Sequence, residues 1–316
     1  MEFEFEGRSI AAEAGDSTLD ALLKSGENIE HGCKAGACQA CLLRSVAGTA
    51  PSSSTESLDD AIVGLGGFLA CRATAGSVER IIRFDDSEVP QFPARVVSRQ
   101  NLSDSVFELR LVTEVCGRPG QFIRLLKSDD LSRCYSLAEV NGSEVALHIR
   151  LVPGGLVSTF LGDVKPGQTL RLRGPFGKCM YRASANPRPL LLIATGTGLA
   201  PVYGVLGSAL AQGHQGPIHL YHGAESSDGL YFREQLSELS RKASSLSYTP
   251  CADHPTAEGD RSGSPLDAAL HDLPDLEAFQ VYLCGHPAMV RSGQKRCFLA
   301  GANLEDIFAD PFENQA

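Results

Sequence analysis

Hydrophobic and polar positions alternate at the start of the chain. Phe3, Phe5 and Ile10 are interrupted by charged residues around Gly7-Arg8, a period of two that predicts a hairpin. The rhythm then lengthens: Ser17 to Leu23 has a hydroxyl cap and the apolar spacing of a short helix ending near Gly26. Residues 30–41 are irregular, and 42–46, 68–74 and 78–84 read as short strands. Residues 85–93 combine charges with Pro90 and Pro93, which predicts a linker. From Ala94 to about Arg173 the pattern is nearly all strand, with segments 94–98, 106–112, 121–125 and 145–151 separated by turn residues. Such spacing predicts an antiparallel barrel. A second polar stretch covers 184–189. Beyond it an apolar strand at 190–194 leads through Gly196-Thr197-Gly198 into a helix reaching Gly213. Strands at 218–222 and 280–284 and a helix near 231–242 give the alternation of a parallel α/β sheet.

The expected architecture is therefore multidomain: residues 1–88 as an α+β unit, 91–186 as an antiparallel β-barrel, and 187–316 as an α/β unit with a parallel sheet. Length agrees, since 316 residues at ~150 per domain allow two domains or three small ones. Hydrophobic content of 43% with 21% charged residues is ordinary for a globular protein. The longest apolar run, 61–70, is short and holds Gly64, Gly66 and Gly67, so no membrane span is expected. The start, Met-Glu-Phe-Glu-Phe-Glu, lacks the features of a signal peptide, and a soluble cytoplasmic protein is expected.

Charge changes the picture in two ways. The net value of −10 argues against a nucleic-acid partner, because phosphate contacts need clustered Lys and Arg. It is also unevenly spread: residues 1–90 carry 15 acids against 7 bases, 91–186 carry 8 against 13, and 187–316 carry 15 against 8. A basic middle between acidic ends suggests that the middle unit handles an anion such as a phosphate-bearing cofactor.

The chain has 10 cysteines, which in a cytosolic protein do not read as a disulfide framework. Cys33, Cys38, Cys41 and Cys71 are spaced x4, x2 and x29, the plant-type ligand pattern of a [2Fe–2S] cluster. Ferric iron and bridging sulfide require four soft anionic donors. Gly32 and Gly36 let the loop turn N–H groups toward the sulfurs. A zinc site would pair its cysteines twice, and the Cys38-x-x-Cys41 pair lacks the βαβ setting of a thiol redox motif. Cys284-Gly-His286 mimics half of a Rieske set, but Ala300 stands where the second histidine belongs.

Further candidates lie downstream. Arg133-Cys134-Tyr135-Ser136 opens a predicted strand in the basic unit, where an arginine suits a phosphate and a tyrosine face suits an apolar ring. His148 lies in the strand that follows. Gly154-Gly155-Leu156-Val157-Ser158 then enters a helix, offering N–H groups and hydroxyls to a pyrophosphate. Residues 174–177 read as a structural turn. Gly196-Thr197-Gly198-Leu199-Ala200-Pro201 is a phosphate-cradling turn short of the full dinucleotide fingerprint. Glu225, just past the second strand, suits a ribose 2′-hydroxyl and repels a 2′-phosphate, favouring NADH over NADPH. Cys284-Gly285 ends another strand, where open α/β sheets place ligands.

Taken together, these segments resemble the NADH-dependent reductase components of bacterial oxygenases, in which a plant-type ferredoxin is joined to a module like ferredoxin–NADP reductase. The resemblance spans essentially the whole chain. It implies a β-grasp ferredoxin unit, an FAD-binding barrel and an NAD-binding unit. FAD binding then falls to Arg133, Tyr135 and Ser136 and to Gly155 through Ser158. The nucleotide falls to Gly196 through Pro201 and to Cys284, Gly285 and Pro287. Residues 307–312 look like the tail whose aromatic residue, here Phe312, covers the flavin ring. By this resemblance Ser136, Cys284 and Phe312 serve hydride transfer, and electrons pass from NADH through FAD and the cluster to an external protein. That acceptor is a Rieske dioxygenase or its ferredoxin, with a di-iron monooxygenase or a deoxysugar dehydratase as alternatives. A non-enzymatic iron–sulfur sensor would leave the flavin and nucleotide segments unexplained. Two departures stand out: Gln39 where many relatives have glycine, and Glu225 where many have arginine.

Overall fold

The computed structural model describes every residue except 32, 33, 35, 37, 38, 57, 59, 86–90, 129, 130, 185 and 313–316. The chain divides into two compact units, Met1–Pro90 with Phe176–Lys178, and Gln91–Pro175 with Cys179–Ala316.

In the first unit, β1 (Glu2–Phe5) and β2 (Arg8–Ala11) form the expected hairpin. Phe3 and Phe5 point inward while Glu2 and Glu4 face solvent, the period-two pattern made physical. Helix α1 (Thr18–Lys24) is capped by Ser17, whose hydroxyl oxygen accepts the Asp20 N–H at 3.1 Å, and Gly26 ends it with φ +86°. The remaining elements are β3 (Leu42–Ala47), α2 (Ser52–Thr55), α3 (Asp60–Gly64), β4 (Gly67–Leu69) and β5 (Arg80–Arg83). The sheet runs β2-β1-β5-β3-β4, mixed because β1 and β5 are parallel. Leu19 and Leu22 of α1 pack on Phe3, Phe5 and Phe68, a β-grasp core. The strand expected over 68–74 is shorter. β4 stops at Leu69, and Ala70–Arg72 form one 3-10 turn.

The second unit contains a closed barrel of β6 (Phe92–Asn101), β7 (Val106–Thr113), β8 (Phe122–Ser128), β9 (Leu131–Asn141), β10 (Glu144–Arg150) and β11 (Thr169–Phe176), with α4 (Leu156–Gly162) between the last two. Alternate residues such as Leu109, Leu111, Ile123, Leu125 and Leu147 fill it. Three expectations need correction. The linker ends earlier, since β6 already begins at Phe92 and carries exposed Pro93 in its opening ladder, where a missing N–H is tolerated. β9 begins at Leu131, so Arg133 lies within it and does not open it. Residues 174–176 continue β11 as strand and do not form a turn.

The parallel sheet comprises β12 (Leu190–Thr195), β13 (Ile218–Ser226), β14 (Leu246–His254), β15 (Arg261–Ser262), β16 (Gln280–Gly285) and β17 (Ile307–Pro311), ordered β15-β14-β13-β12-β16-β17. Helices α5 (Leu199–Ala211), α6 (Arg233–Lys242), α7 (Pro265–Asp272) and α8 (Pro287–Leu299) connect them. From β12 the order runs outward to β13 on one side, and β16 joins on the other, so the carboxyl ends of β12 and β16 flank the switch point where open α/β sheets bind ligands. Among the described residues, no helix is long and apolar enough to cross a membrane.

Where the barrel meets the sheet, His148 on β10 and His222 on β13 are buried. The His148 ring meets Tyr231 and Phe232 edge-on, with centroids 5.4 and 5.0 Å apart, and its Nδ1 is 3.2 Å from the Tyr231 hydroxyl. His222 meets Tyr231 at 5.7 Å. Burial pushes the two imidazoles down from their ordinary value to about 3 and about 4, respectively, with Arg110 adding to the effect at His148. Both rings are therefore neutral in the folded protein at pH 7, whereas an unfolded histidine takes up a proton near pH 6.5. Their contribution to stability is complete above about pH 6.5. It is lost progressively as pH falls toward about 4, at roughly 1 kcal/mol per pH unit for each ring. Urea unfolding at pH 7, 6 and 5 is expected to show this loss, and His148→Phe to show a smaller one. An equal pH slope in the two proteins would contradict the assignment.

Candidate functional site

The cysteine loop comes first in the chain. Cys41 is buried just before β3, and Cys71 lies half-buried in the 3-10 turn after β4. The Ala70 N–H donates to the Cys41 carbonyl at 3.0 Å, tying the two segments together. Cys33 and Cys38 lie outside the described residues. Within the loop, Lys34, Gly36 and Gln39 have φ of +51°, +84° and +55°. Left-handed residues of this kind turn N–H groups into a concavity for an anion, so loop and donor chemistry fit a thiolate-bound [2Fe–2S] cluster. A Cβ on Gly36 would also stand 3.0 Å from the Arg72 side chain. The left-handed backbone at Gln39 explains why glycine suits that position.

On the barrel, β9 pairs with β8 and carries Arg133 opposite Leu125, Tyr135 opposite Ile123 and Ser136 opposite Phe122. Arg133 and Tyr135 share one face of the strand and are half-exposed. Burial pushes the Tyr135 phenol above its ordinary value, with Arg133 opposing the shift. Ser136 is buried, and its hydroxyl donates to Asp310 Oδ2 at 3.4 Å. His148, by contrast, faces the sheet through the aromatic contacts described above. Gly154 is in open space with φ +75°. Gly155 begins α4 with no side-chain cap, leaving the first helical N–H groups without a side-chain partner, a setting that fits a phosphate. A Cβ on Gly155 would lie 2.7 Å from Ser158 Oγ. Ser158 Oγ accepts the Val152 N–H at 3.1 Å and donates to the Gly155 carbonyl at 3.4 Å, so that hydroxyl shapes the turn itself. Val157 packs into the barrel core.

At the sheet's switch point, two glycine turns meet backbone to backbone. Gly196–Gly198 form a 3-10 turn after β12, and α5 starts at once without a side-chain cap, with Pro201 in its first turn. A Cβ on Gly198 would stand 2.3 Å from the Cys284 carbonyl oxygen, and one on Gly285 would stand 2.4 Å from the Thr195 carbonyl oxygen. The Thr195 hydroxyl oxygen accepts the His286 N–H at 2.8 Å, locking the two turns. This bare, tightly turned backbone fits a nucleotide phosphate. Glu225, expected just past the second strand, instead lies exposed within it, because β13 runs on to Ser226. Cys284 is fully buried, with its Sγ 3.3 Å from Cys179 Sγ, and burial together with that neighbour raises its thiol pKa well above the ordinary value. The tail is ordered as β17, with Asp310 opposite Cys284, and the Phe312 N–H donates to the Gly285 carbonyl at 2.8 Å.

One close contact joins the barrel segments to the nucleotide turns. Gly204 of α5 lies against β9, where a Cβ would be 2.8 Å from Gly120 N and 2.9 Å from the Leu137 carbonyl oxygen. Leu137 follows Ser136, so the helix that starts at the glycine turn rests on the strand bearing that serine. Sequence reasoning missed Asp310, Gly204, Thr195 and Cys179. The Asp-Pro-Phe tail held the only local cue to any of them.

Comparisons with known proteins agree with this layout. Family models match a 2Fe-2S iron-sulfur cluster binding domain over residues 3–76, an oxidoreductase FAD-binding domain over 93–181 and an oxidoreductase NAD-binding domain over 192–295. The chain is 32% identical over 315 residues, covering 96% of both proteins, to the ferredoxin–NAD(P)+ reductase component of the Pseudomonas putida naphthalene 1,2-dioxygenase system. It is 29% identical to the Yersinia pestis CDP-6-deoxy-L-threo-D-glycero-4-hexulose-3-dehydrase reductase, covering 94% of each. Among solved structures, the Amycolatopsis cytochrome P450 reductase GcoB superposes with a TM-score of 0.70 at 25% identity, covering 98% of each chain.

Two substitutions test the geometry. Gly204→Val is expected to push α5 off β9 and slow reduction of bound flavin by NADH more than tenfold, with flavin content retained. An unchanged rate in stopped flow would show that the close packing is dispensable. Gln39→Gly removes a left-handed non-glycine residue and is expected to stabilise the first unit by about 1 kcal/mol, read as slower thermal loss of the cluster's visible absorbance. Faster loss would contradict this.

Proposed function

Because this chain belongs to the ferredoxin–NAD(P)+ reductase components that join a 2Fe-2S domain to FAD- and NAD-binding domains, we propose that it oxidises NADH and hands single electrons to a Rieske dioxygenase or its ferredoxin. Residues 1–88 are the ferredoxin domain, 91–186 the FAD domain and 187–316 the NAD domain in this reading. The observation that carries it is the meeting of the two cofactor segments. Ser136 of the barrel donates to Asp310, and Asp310 is the strand partner of Cys284 at the switch point.

FAD and the [2Fe–2S] cluster, when bound, supply the conversion of a two-electron hydride donor into single-electron transfers. The chain's own residues bind and align. Arg133, with the N–H groups after Gly154 and Gly155, would hold the flavin phosphates, and Tyr135 would offer its face to the ring. Asp310 orients the Ser136 hydroxyl and accepts its proton in the hydrogen bond. Gly196, Thr197 and Gly198 bring backbone close to the nucleotide phosphate, and Glu225 disfavours a 2′-phosphate. Cys284 would line the hydride-transfer position, and Phe312, pinned at its N–H, would cover a bound flavin ring. Cys33, Cys38, Cys41 and Cys71 hold the iron. The acidic excess of residues 1–90 calls for an acceptor with a basic docking patch. Similarity to the Yersinia reductase supports a second reading, service to a deoxysugar dehydratase.

Steady-state assays with each candidate acceptor test this function. NADH is expected to support turnover far better than NADPH, and Ser136→Ala to lower flavin reduction at least tenfold with little change in flavin content. Turnover with the true acceptor is expected to fall as salt rises from about 0.05 to about 0.5 M. Reduction of no protein acceptor, or NADPH preference with an unaffected Ser136→Ala variant, would overturn the reading.

A further inference from the structure

Outside the cluster loop, Cys284 faces a buried thiol, Cys179, that the function described above does not use. Cys179 follows β11 in the connection toward β12, and Cys284 ends β16, 105 residues later. Their sulfurs are 3.3 Å apart, and both side chains are buried. A disulfide bond is about 2.05 Å long, so closure asks each sulfur to move by less than an ångström.

The surroundings hold both partners in place. A Cβ on Gly120 would stand 2.0 Å from the Cys179 carbonyl oxygen, so the connection is pressed against the barrel at that residue. The next residue, Met180, accepts a hydrogen bond through its carbonyl from the Tyr282 hydroxyl at 3.3 Å, tying the connection to β16 two residues before Cys284. Cys284 itself is fixed by the Gly198 and Asp310 contacts already described. Two thiols presented face to face by two independently anchored segments form a closable pair.

We propose that Cys179 and Cys284 are a redox modification site, closed to a disulfide by hydrogen peroxide, that draws the Cys284 sulfur away from the nicotinamide position and halts NADH oxidation. The inference rests on the proposed role of Cys284. In the first step the Cys179 thiolate displaces hydroxide from peroxide, giving a sulfenic acid on Cys179 and, after protonation, one water. In the second, the Cys284 thiol attacks that sulfur, forming the S–S bond and releasing a second water. In sum, two thiols are oxidised by two electrons, one peroxide is reduced, and two waters leave. Two-electron reduction of dioxygen yields peroxide, so a protein that delivers electrons in air meets this oxidant at its own site. Burial excludes bulky disulfide oxidants, so the small peroxide molecule is the oxidant tested. Since the thiolate is the attacking form, closure accelerates as pH rises.

The test uses the reduced holoprotein, freed of reductant and treated with peroxide at pH 7 and pH 8.5. Remaining thiols are alkylated under denaturing conditions and the peptides mapped by mass spectrometry. The expected product is a peptide linking Cys179 to Cys284, formed faster at the higher pH. In the same samples the rate of flavin reduction by NADH falls at least tenfold and returns with dithiothreitol. In Cys179→Ser and Cys179→Ala no linked peptide forms, and peroxide leaves a dithiothreitol-reversible loss in neither. Oxidation of other cysteines without a 179–284 link overturns the proposal, as does a link that leaves the flavin rate unchanged. If the untreated protein does not oxidise NADH, the functional reading fails, while the peptide map still reports the modification.

Discussion

The approach of bare backbone to bare backbone at Gly198, Gly285 and Gly204 is the constraint on which the second unit depends. At each of these positions a Cβ would fall within 2.9 Å of neighbouring backbone, and backbone cannot yield as a flexible side chain does. The first two contacts bring the turn after β12 against the end of β16, across the point where the sheet order reverses. The third lays α5 directly on β9. The glycine turn after β12, the helix that follows it and the strand bearing Ser136 thus become parts of one packed object, even though they belong to different layers of the fold.

The polar chemistry is laid onto that frame sparingly. Ser136 reaches Asp310, Asp310 sits beside Cys284 in the sheet, and the Phe312 backbone is held by Gly285. The C-terminal strand β17 therefore brings Asp310 to the Ser136 hydroxyl of the barrel and leads directly into Phe312. The buried histidines nearby are neutral packing groups of the seam, held so by desolvation. Division of labour follows: the frame sets positions, and the bound cofactors carry the electrons.

Much of this was legible in the sequence. Alternation at Phe3 and Phe5, the strand runs of the barrel and the apolar strand before Gly196 all fix local structure through the placement of apolar side chains. The cysteine spacing was equally direct, because iron–sulfur ligation demands particular residues at particular intervals. Less was legible where long-range packing decides. The 3-10 turn at Cys71, the pairing of β17 with β16 and the facing of Cys179 toward Cys284 depend on segments far apart in the chain. Gly204 looked like any helical glycine until β9 was seen against it. Gln39 was visible as a departure, and its left-handed backbone supplied the physical reason.

The central claim is that one chain carries electrons from a nicotinamide nucleotide to its own iron–sulfur cluster. An anaerobic titration of the holoprotein with NADH, followed by visible absorbance and low-temperature electron paramagnetic resonance, tests it most directly. The account predicts bleaching of the flavin bands together with the rhombic signal of a reduced [2Fe–2S] cluster. Bleached flavin with a cluster that stays oxidised, or no change in either, would contradict it.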